Sequence, residues 1–110
     1  MKIPVDAVIA PDKLTRYLLI FREEDDKSKF LSLAGFTLDN PDELEAALRN
    51  HIHEAEAFEQ KVNAYGVFYE VPGPLKGVNG HILQITSIWL FEKARDEFRF
   101  ITLKGRKDDA

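Results

Sequence analysis

The sequence predicts an α+β fold in which about three N-terminal helices pack on a four-stranded antiparallel meander sheet. Three observations predict it. The second half alternates apolar and polar residues over four short stretches separated by turn residues. One of these stretches, HILQITSIWLF at 81–91, is apolar on both faces, as a central strand is. The first half instead carries apolar residues at helical spacing behind helix-start signals.

Residues 2–10 read as an extended lead-in, with apolar Ile3, Val5, Val8 and Ile9. Pro11 suits a first helical turn, where its missing N–H costs nothing, and Asp12 favours the positive helix end. Leu14, Tyr17, Leu18 and Phe21 share one face, so helix 1 is expected over 11–21. The charge run REEDD at 22–26 reads as a solvated loop. Helix 2 is expected over 26–34, capped by Asp25 or Asp26, with Phe30, Leu33 and Ala34 inward and Gly35 past its end. Helix 3 has the clearest start: Asn40 as N-cap, Pro41 first and Glu43 third, close to a capping box. It runs to about residue 54 with Leu44, Ala47, Leu48, His51, Ile52 and Ala55 as its buried stripe.

The strands are expected at 58–62, 65–71, 81–91 and 97–103. Pro72, Gly73, Pro74 and Gly77 predict a loop after the second strand, and Asn79-Gly80 a tight turn. In the last strand, plain alternation sets Phe98, Phe100 and Thr102 against Arg99, Ile101 and Leu103. The open sheet face is then expected to carry Phe68, Gln84, Thr86 and Arg99. Residues 104–110 read as a frayed tail.

At 110 residues the chain is a single domain, 1–110, large enough for one core. With no cysteine it has no disulfide, thiolate metal site or catalytic thiol. A net charge of −4 argues against nucleic-acid binding by the whole surface, although basic residues gather at Lys104, Arg106 and Lys107. No apolar run is long enough to span a membrane, and Pro4, Asp6 and Pro11 break the N-terminus too early for a signal peptide. The expected location is the cytoplasm, with no membrane partner.

Chemistry-bearing spacings are few. His51 and His53 do not share a helix face, so they make a poor chelate, and a helix C-terminus explains them. No metal and no cofactor is expected. His81, beside a turn, is the acid–base candidate. VPGPLKGVNG precedes a strand rather than a helix and so lacks the geometry of a phosphate loop. Two features resist a purely structural reading. Lys27 and Lys29 sit in the first turn of helix 2, against the dipole. Thr86, Ser87 and Thr102 put hydroxyls in the two strands expected near the centre. A fixed lysine beside such hydroxyls and Arg99 would stabilise charge on a transferring phosphoryl group. Plain packing also explains strand threonines.

Several stretches together resemble an uncharacterised bacterial domain family. They are Lys13-Leu14 with Tyr17-Leu18-Leu19, and Lys27-x-Lys29-Phe30 leading to Gly35-Phe36. The Asn40–Leu48 helix start and Tyr65-Gly66 with Tyr69 follow. The Gly73-Pro74-Leu75-x-Gly77 loop with Gly80, Ile88-Trp89 and Ile101-Thr102 complete the set. Members of that family occur as small free-standing proteins and as C-terminal domains of polymorphic and contact-dependent toxins. The resemblance implies a barnase/EndoU/RelE-like core and metal-independent RNA cleavage or RNA binding. On that analogy Lys27 matches the family's helix-2 lysine, Thr102 its last-strand threonine, and Tyr65 and Trp89 its aromatic positions. In an active protein Lys27 would then stabilise phosphate charge, Thr102 would position it and His81 or Tyr65 would move a proton, with Lys29, Arg99 and Thr86, picked out by the residue pattern, holding substrate. The competing expectation is a non-enzymatic interaction module, either a homodimer or half of an operon-encoded pair. It rests on the acidic balance, the absence of a credible general base and the apolar surplus of the last two strands.

Overall fold

The computed structural model describes residues 1–21 and 27–106. Helix α1 (Pro11–Lys13) runs directly into a π-helical turn, Leu14–Leu18; α2 spans Ser28–Ser32 and α3 Pro41–Glu54. Strands β1 (Phe58–Asn63), β2 (Gly66–Lys76), β3 (Ile82–Glu92) and β4 (Glu97–Gly105) form one antiparallel sheet in the order β1-β2-β3-β4. The α+β class, the four-strand meander and the inner position of β3 agree with the sequence expectation. The core lies between α3, the π-turn and one sheet face, with Trp89, Phe36, Phe100 and Leu48 fully buried in it.

Helix 1 is shorter than the expected 11–21. Its Leu19 amide bonds the Leu14 carbonyl at 2.9 Å, five residues back. The wider π-turn brings Leu14, Leu18 and Leu19 inward together and leaves Phe21 exposed, whereas an α-helix would have buried Phe21. Helix 2 is also shorter than 26–34. Leu31 and Ala34 turn inward and Leu33 outward, and Gly35 takes φ +87° beyond the helix end. The expected loop at 22–26, and with it the caps Asp25 and Asp26, lies outside the described residues. Asn40 stands at the N-cap of α3, but its side chain makes no cap. It reaches backward instead: Oδ1 accepts from the Thr37 amide at 2.8 Å and Nδ2 donates to the Gly35 carbonyl at 2.9 Å. The loop uses the amide that the helix end was expected to use.

The largest difference lies in β2. The expected loop at 72–76 is strand, paired with β3 out to Lys76–Ile82. Strand β1 pairs only with Gly66–Glu70, so β2 becomes an edge beyond that point. Prolines at 72 and 74 are tolerated because their missing N–H groups face the side that β1 has left. The second difference is a bulge in β4. Trp89 pairs with Phe100 but Ile88 pairs with Thr102, so Ile101 is the extra residue. The bulge reverses the expected alternation: Phe98, Phe100 and Leu103 face the core, and Thr102 joins Arg99 on the open face. Strand β4 also continues through Lys104 and Gly105, which the sequence assigned to a frayed tail.

The lead-in closes the outer edge of β4. Val8 donates to the Phe98 carbonyl at 2.9 Å and accepts from the Phe100 amide at 2.8 Å, a parallel bridge. Arg49 of α3 holds it there, with Nη1 2.7 Å and 2.8 Å from the carbonyls of Val5 and Ala7. Its Nη2 is fixed by Glu45 one turn away at 2.8 Å. Replacing Arg49 with alanine is expected to cost about 1 kcal/mol, since charge-assisted bonds to the half-buried Ala7 carbonyl and the exposed Val5 carbonyl are lost. Hydrogen exchange checks it: the Val8 and Phe100 amides should lose protection before the β2–β3 pairs do.

Candidate functional site

The register assembles the open sheet face. Thr86, Ile88 and Leu90 of β3 form its centre, flanked by Pro72, Glu70 and Phe68 of β2. On the other side they meet Lys104, Thr102 and Arg99 of β4. Ile88 and Leu90 are each only 9% exposed, although they lie outside the core cluster that the helices cover. Long neighbours shield them. Lys61 lies over the Phe68 ring at 5.3 Å, and Glu70 accepts from Gln60 at 2.6 Å. Arg99 is held between Glu92 (3.4 Å) and Glu97 (3.1 Å). The result is an apolar centre with a rim of both charge signs.

The residues singled out from sequence fall into three groups. Thr86, Arg99 and Thr102 share the open face. Lys27 is the N-cap residue of α2 and Lys29 lies in its first turn, and Leu31 of that helix packs into the core under the helices. The Lys27 ammonium lies 5.9 Å from the Tyr17 ring and that of Lys29 5.5 Å from the Phe21 ring. Lys29 also lines a pocket of about 310 Å³ with Ser28 and Ser32. His81 and Tyr65 are exposed in the β2–β3 and β1–β2 turns. These turns lie at opposite ends of β2, a span of roughly 35 Å for 11 residues at about 3.3 Å each. Thr102 Oγ1 donates only to the carbonyl of Leu103, at 3.4 Å. Lys27 and Thr102 therefore stand on opposite sides of the sheet. Among the described residues no three His, Asp or Glu side chains gather into a metal-binding group.

The sequence reading missed one polar constellation: His51, Ser87 and Trp89, all buried. His51 Nδ1 is 3.0 Å from the Pro74 carbonyl, an acceptor only, so Nδ1 carries the proton and donates. Nε2 then accepts, and Ser87 Oγ, 2.8 Å away, donates to it. Trp89 Nε1 donates to the same Oγ at 2.8 Å. Each group has its partner in a chain running from Trp89 through Ser87 to His51 and the Pro74 carbonyl. That carbonyl is free for His51 because β1 has ended. Burial pushes the His51 pKa below its ordinary value, and backbone hydrogen bonding only partly opposes this. A serine and a histidine at 2.8 Å resemble a nucleophile and its base, but Ser87 is fully buried and His51 nearly so. Gly73 packs closely here, where a Cβ would lie 3.0 Å from Ala55 and 3.5 Å from the His51 ring. The signal was legible: a histidine in the buried stripe of α3 and a serine on the inward phase of β3.

At the end of the sheet that the helices do not reach, the inward face is half-covered. Phe91 and Phe98 pack at 5.0 Å between ring centroids, and Tyr69 meets Phe98 at 5.8 Å. A groove of about 440 Å³ runs between these rings and the lead-in, bounded by Phe91, Phe98, Pro4 and Val8 with Asp6 and Asp96 at its mouth.

The comparisons add a family and no activity. No curated protein and no solved structure matches the chain significantly. A family model described as "Domain of unknown function (DUF6883)" matches residues 4–107, which takes in every element from the lead-in to the end of β4. The chain belongs to that family of domains of unknown function.

Proposed function

We propose that this protein is a non-enzymatic interaction module that works through its open sheet face, and that the occupant of that face is a second copy of the same chain. The observation carrying this is the anatomy of the face: Ile88 and Leu90 at the centre, covered in the single chain only by long side chains that can swing aside, Phe68 and Pro72 beside them, and charged residues around the edge. An apolar centre within a polar rim is how protein interfaces are built. Self-pairing follows from the rim, which carries Lys61 and Lys104 as well as Glu70 and Glu92. A two-fold axis sets such a rim against itself with opposite charges facing. Area supports it. Four strands about 4.8 Å apart and about 30 Å long offer roughly 600 Å² per copy, or about 1,200 Å² in total, the low end for a stable interface. The copies would stack as two sheets about 10 Å apart.

Ultracentrifugation tests this. The wild type is expected at the mass of two 12.6 kDa chains, and Thr86→Arg, which puts a long cation into the centre of the face, at the mass of one. A wild-type monomer at 100 µM, on the order of the loading used in such runs, overturns the proposal.

The finer reading is a cytoplasmic, toxin-related ribonuclease with a barnase/EndoU/RelE-like core and RNA as partner. It is favoured by Thr86, Arg99 and Thr102 sharing one face. The pairing of Arg99 with two carboxylates, and the position of Lys27 across the sheet, set it second. Cleavage of total RNA in EDTA by the wild type but not by Lys27→Ala would reverse the order, and intact RNA in both would keep it. An operon-encoded partner in place of a second copy would appear as a monomer that gains mass only with its neighbour gene product.

A further inference from the structure

We infer that the groove between the lead-in and the β3–β4 turn is a docking site for a basic, extended segment of a partner protein, which lays an arginine or lysine side chain across Phe91 and Phe98. Its floor is aromatic and half-buried, with the two rings 5.0 Å apart. Its walls, Pro4 and Val8 of the lead-in, are apolar. Its mouth is acidic and not neutralised. Asp6 and Asp96 are exposed, and neither carboxylate has an ion-pair or hydrogen-bond partner among the described residues. The arginines on neighbouring positions are engaged elsewhere, Arg95 with Glu92, Arg99 with Glu92 and Glu97, and Arg49 with Glu45, and Lys93 in the same turn forms no ion pair with either aspartate. Glu97, the third acid here, is therefore spent on Arg99, while Asp6 and Asp96 are available.

The complementary chemistry is narrow. A long cationic side chain has an apolar stem and a charged head. The stem would pack on the apolar ring faces, and the head would reach the two aspartates at the rim. A neutral apolar side chain would fill the floor but leave both carboxylates unanswered. An acidic one would be repelled. The volume, about 440 Å³, holds one such side chain and the adjoining backbone rather than a whole helix. Asp96 is fixed in its role by the turn. Its φ of +53° lies in the left-handed region, which Asp and Asn enter more readily than other non-glycine residues. The groove lies on the inward face of the sheet, so it stands or falls separately from the self-pairing of the open face.

The test is calorimetric titration of the full chain with three probes: a blocked Arg-Leu-Arg-Leu peptide, the same peptide with glutamate for arginine, and arginine amide. The arginine peptide should bind, with its affinity falling as salt rises, and the glutamate peptide should not. The double variant Asp6→Asn with Asp96→Asn should weaken binding at least about tenfold, and asparagine keeps the left-handed turn. Its urea midpoint, expected to match the wild type, confirms that the fold is unchanged. No binding of the arginine peptide, equal binding of the glutamate peptide, or equal binding by the double variant overturns the inference. Arginine amide binding as tightly as the peptide overturns the protein-segment occupant in favour of a small organic cation.

Discussion

Replacing Ser87 with alanine is expected to destabilise the protein by about 2–5 kcal/mol, although only one oxygen is removed. That oxygen accepts from Trp89 and donates to His51, each at 2.8 Å and each buried. Without it, an indole N–H and an imidazole nitrogen lose their partners in a place water does not reach. Each orphaned group costs about 1–3 kcal/mol, far more than the net worth of a satisfied bond. A domain of this size holds only about 5–15 kcal/mol in all. The neighbouring Thr86→Ala, on the open face, removes a hydroxyl of the same kind and should shift stability by less than about 0.5 kcal/mol. Urea unfolding of the two variants side by side reads the difference directly. Equal midpoints would mean that the hydrogen-bonded chain from Trp89 to Pro74 contributes nothing to stability.

Legibility from sequence followed the range of the forces involved. Long periodic patterns carried α3 and the four strands, because side-chain period is a property of the chain itself. The π-turn was not legible. Leu14, Tyr17, Leu18 and Phe21 fit an α-helical face, and only packing against α3 and the sheet shows that Leu19 belongs inside. Strand β2 was cut short because Pro72 and Pro74 break a central strand. That they lie on an edge depends on where β1 stops, a tertiary fact. The bulge at Ile101 likewise has no local signature, yet it alone sets Thr102 on the face with Arg99. Four site candidates, Lys27, Lys29, His81 and Tyr65, were each plausible locally. Their separation, the lysines on the helix-covered side and His81 and Tyr65 at opposite ends of the sheet, comes from topology, which no spacing in the sequence encodes.

Stability should fall as the solution is acidified through the range just below neutrality, and His51 should be the cause. Its folded-state pKa lies below the ordinary value of 6.5, with desolvation by burial as the largest reason. The unfolded chain therefore binds a proton that the folded chain refuses. Where the unfolded state holds more protons, stability rises with pH, so the His51 contribution is complete above 6.5 and is lost as pH falls below it. One proton gives a slope of at most about 1.4 kcal/mol per pH unit, or up to about 2 kcal/mol between pH 7.5 and pH 5. The neutral state is required by the hydrogen bonds themselves. A protonated ring would donate from Nε2, turn the Ser87 hydroxyl away, and bury a cation with no carboxylate against it. Glu56 also has a lowered pKa, chiefly through its hydrogen bond with the N-terminal ammonium, but its contribution is lost only in the carboxylate range, below pH 5. Urea midpoints measured from pH 7.5 to pH 5 therefore isolate the histidine. His51→Gln removes the titrating group, so its midpoints should be lower at pH 7.5 and should then change with a shallower slope than the wild type. If both proteins lose stability in parallel, the loss does not come from His51, and the buried chain of hydrogen bonds is not what senses the proton.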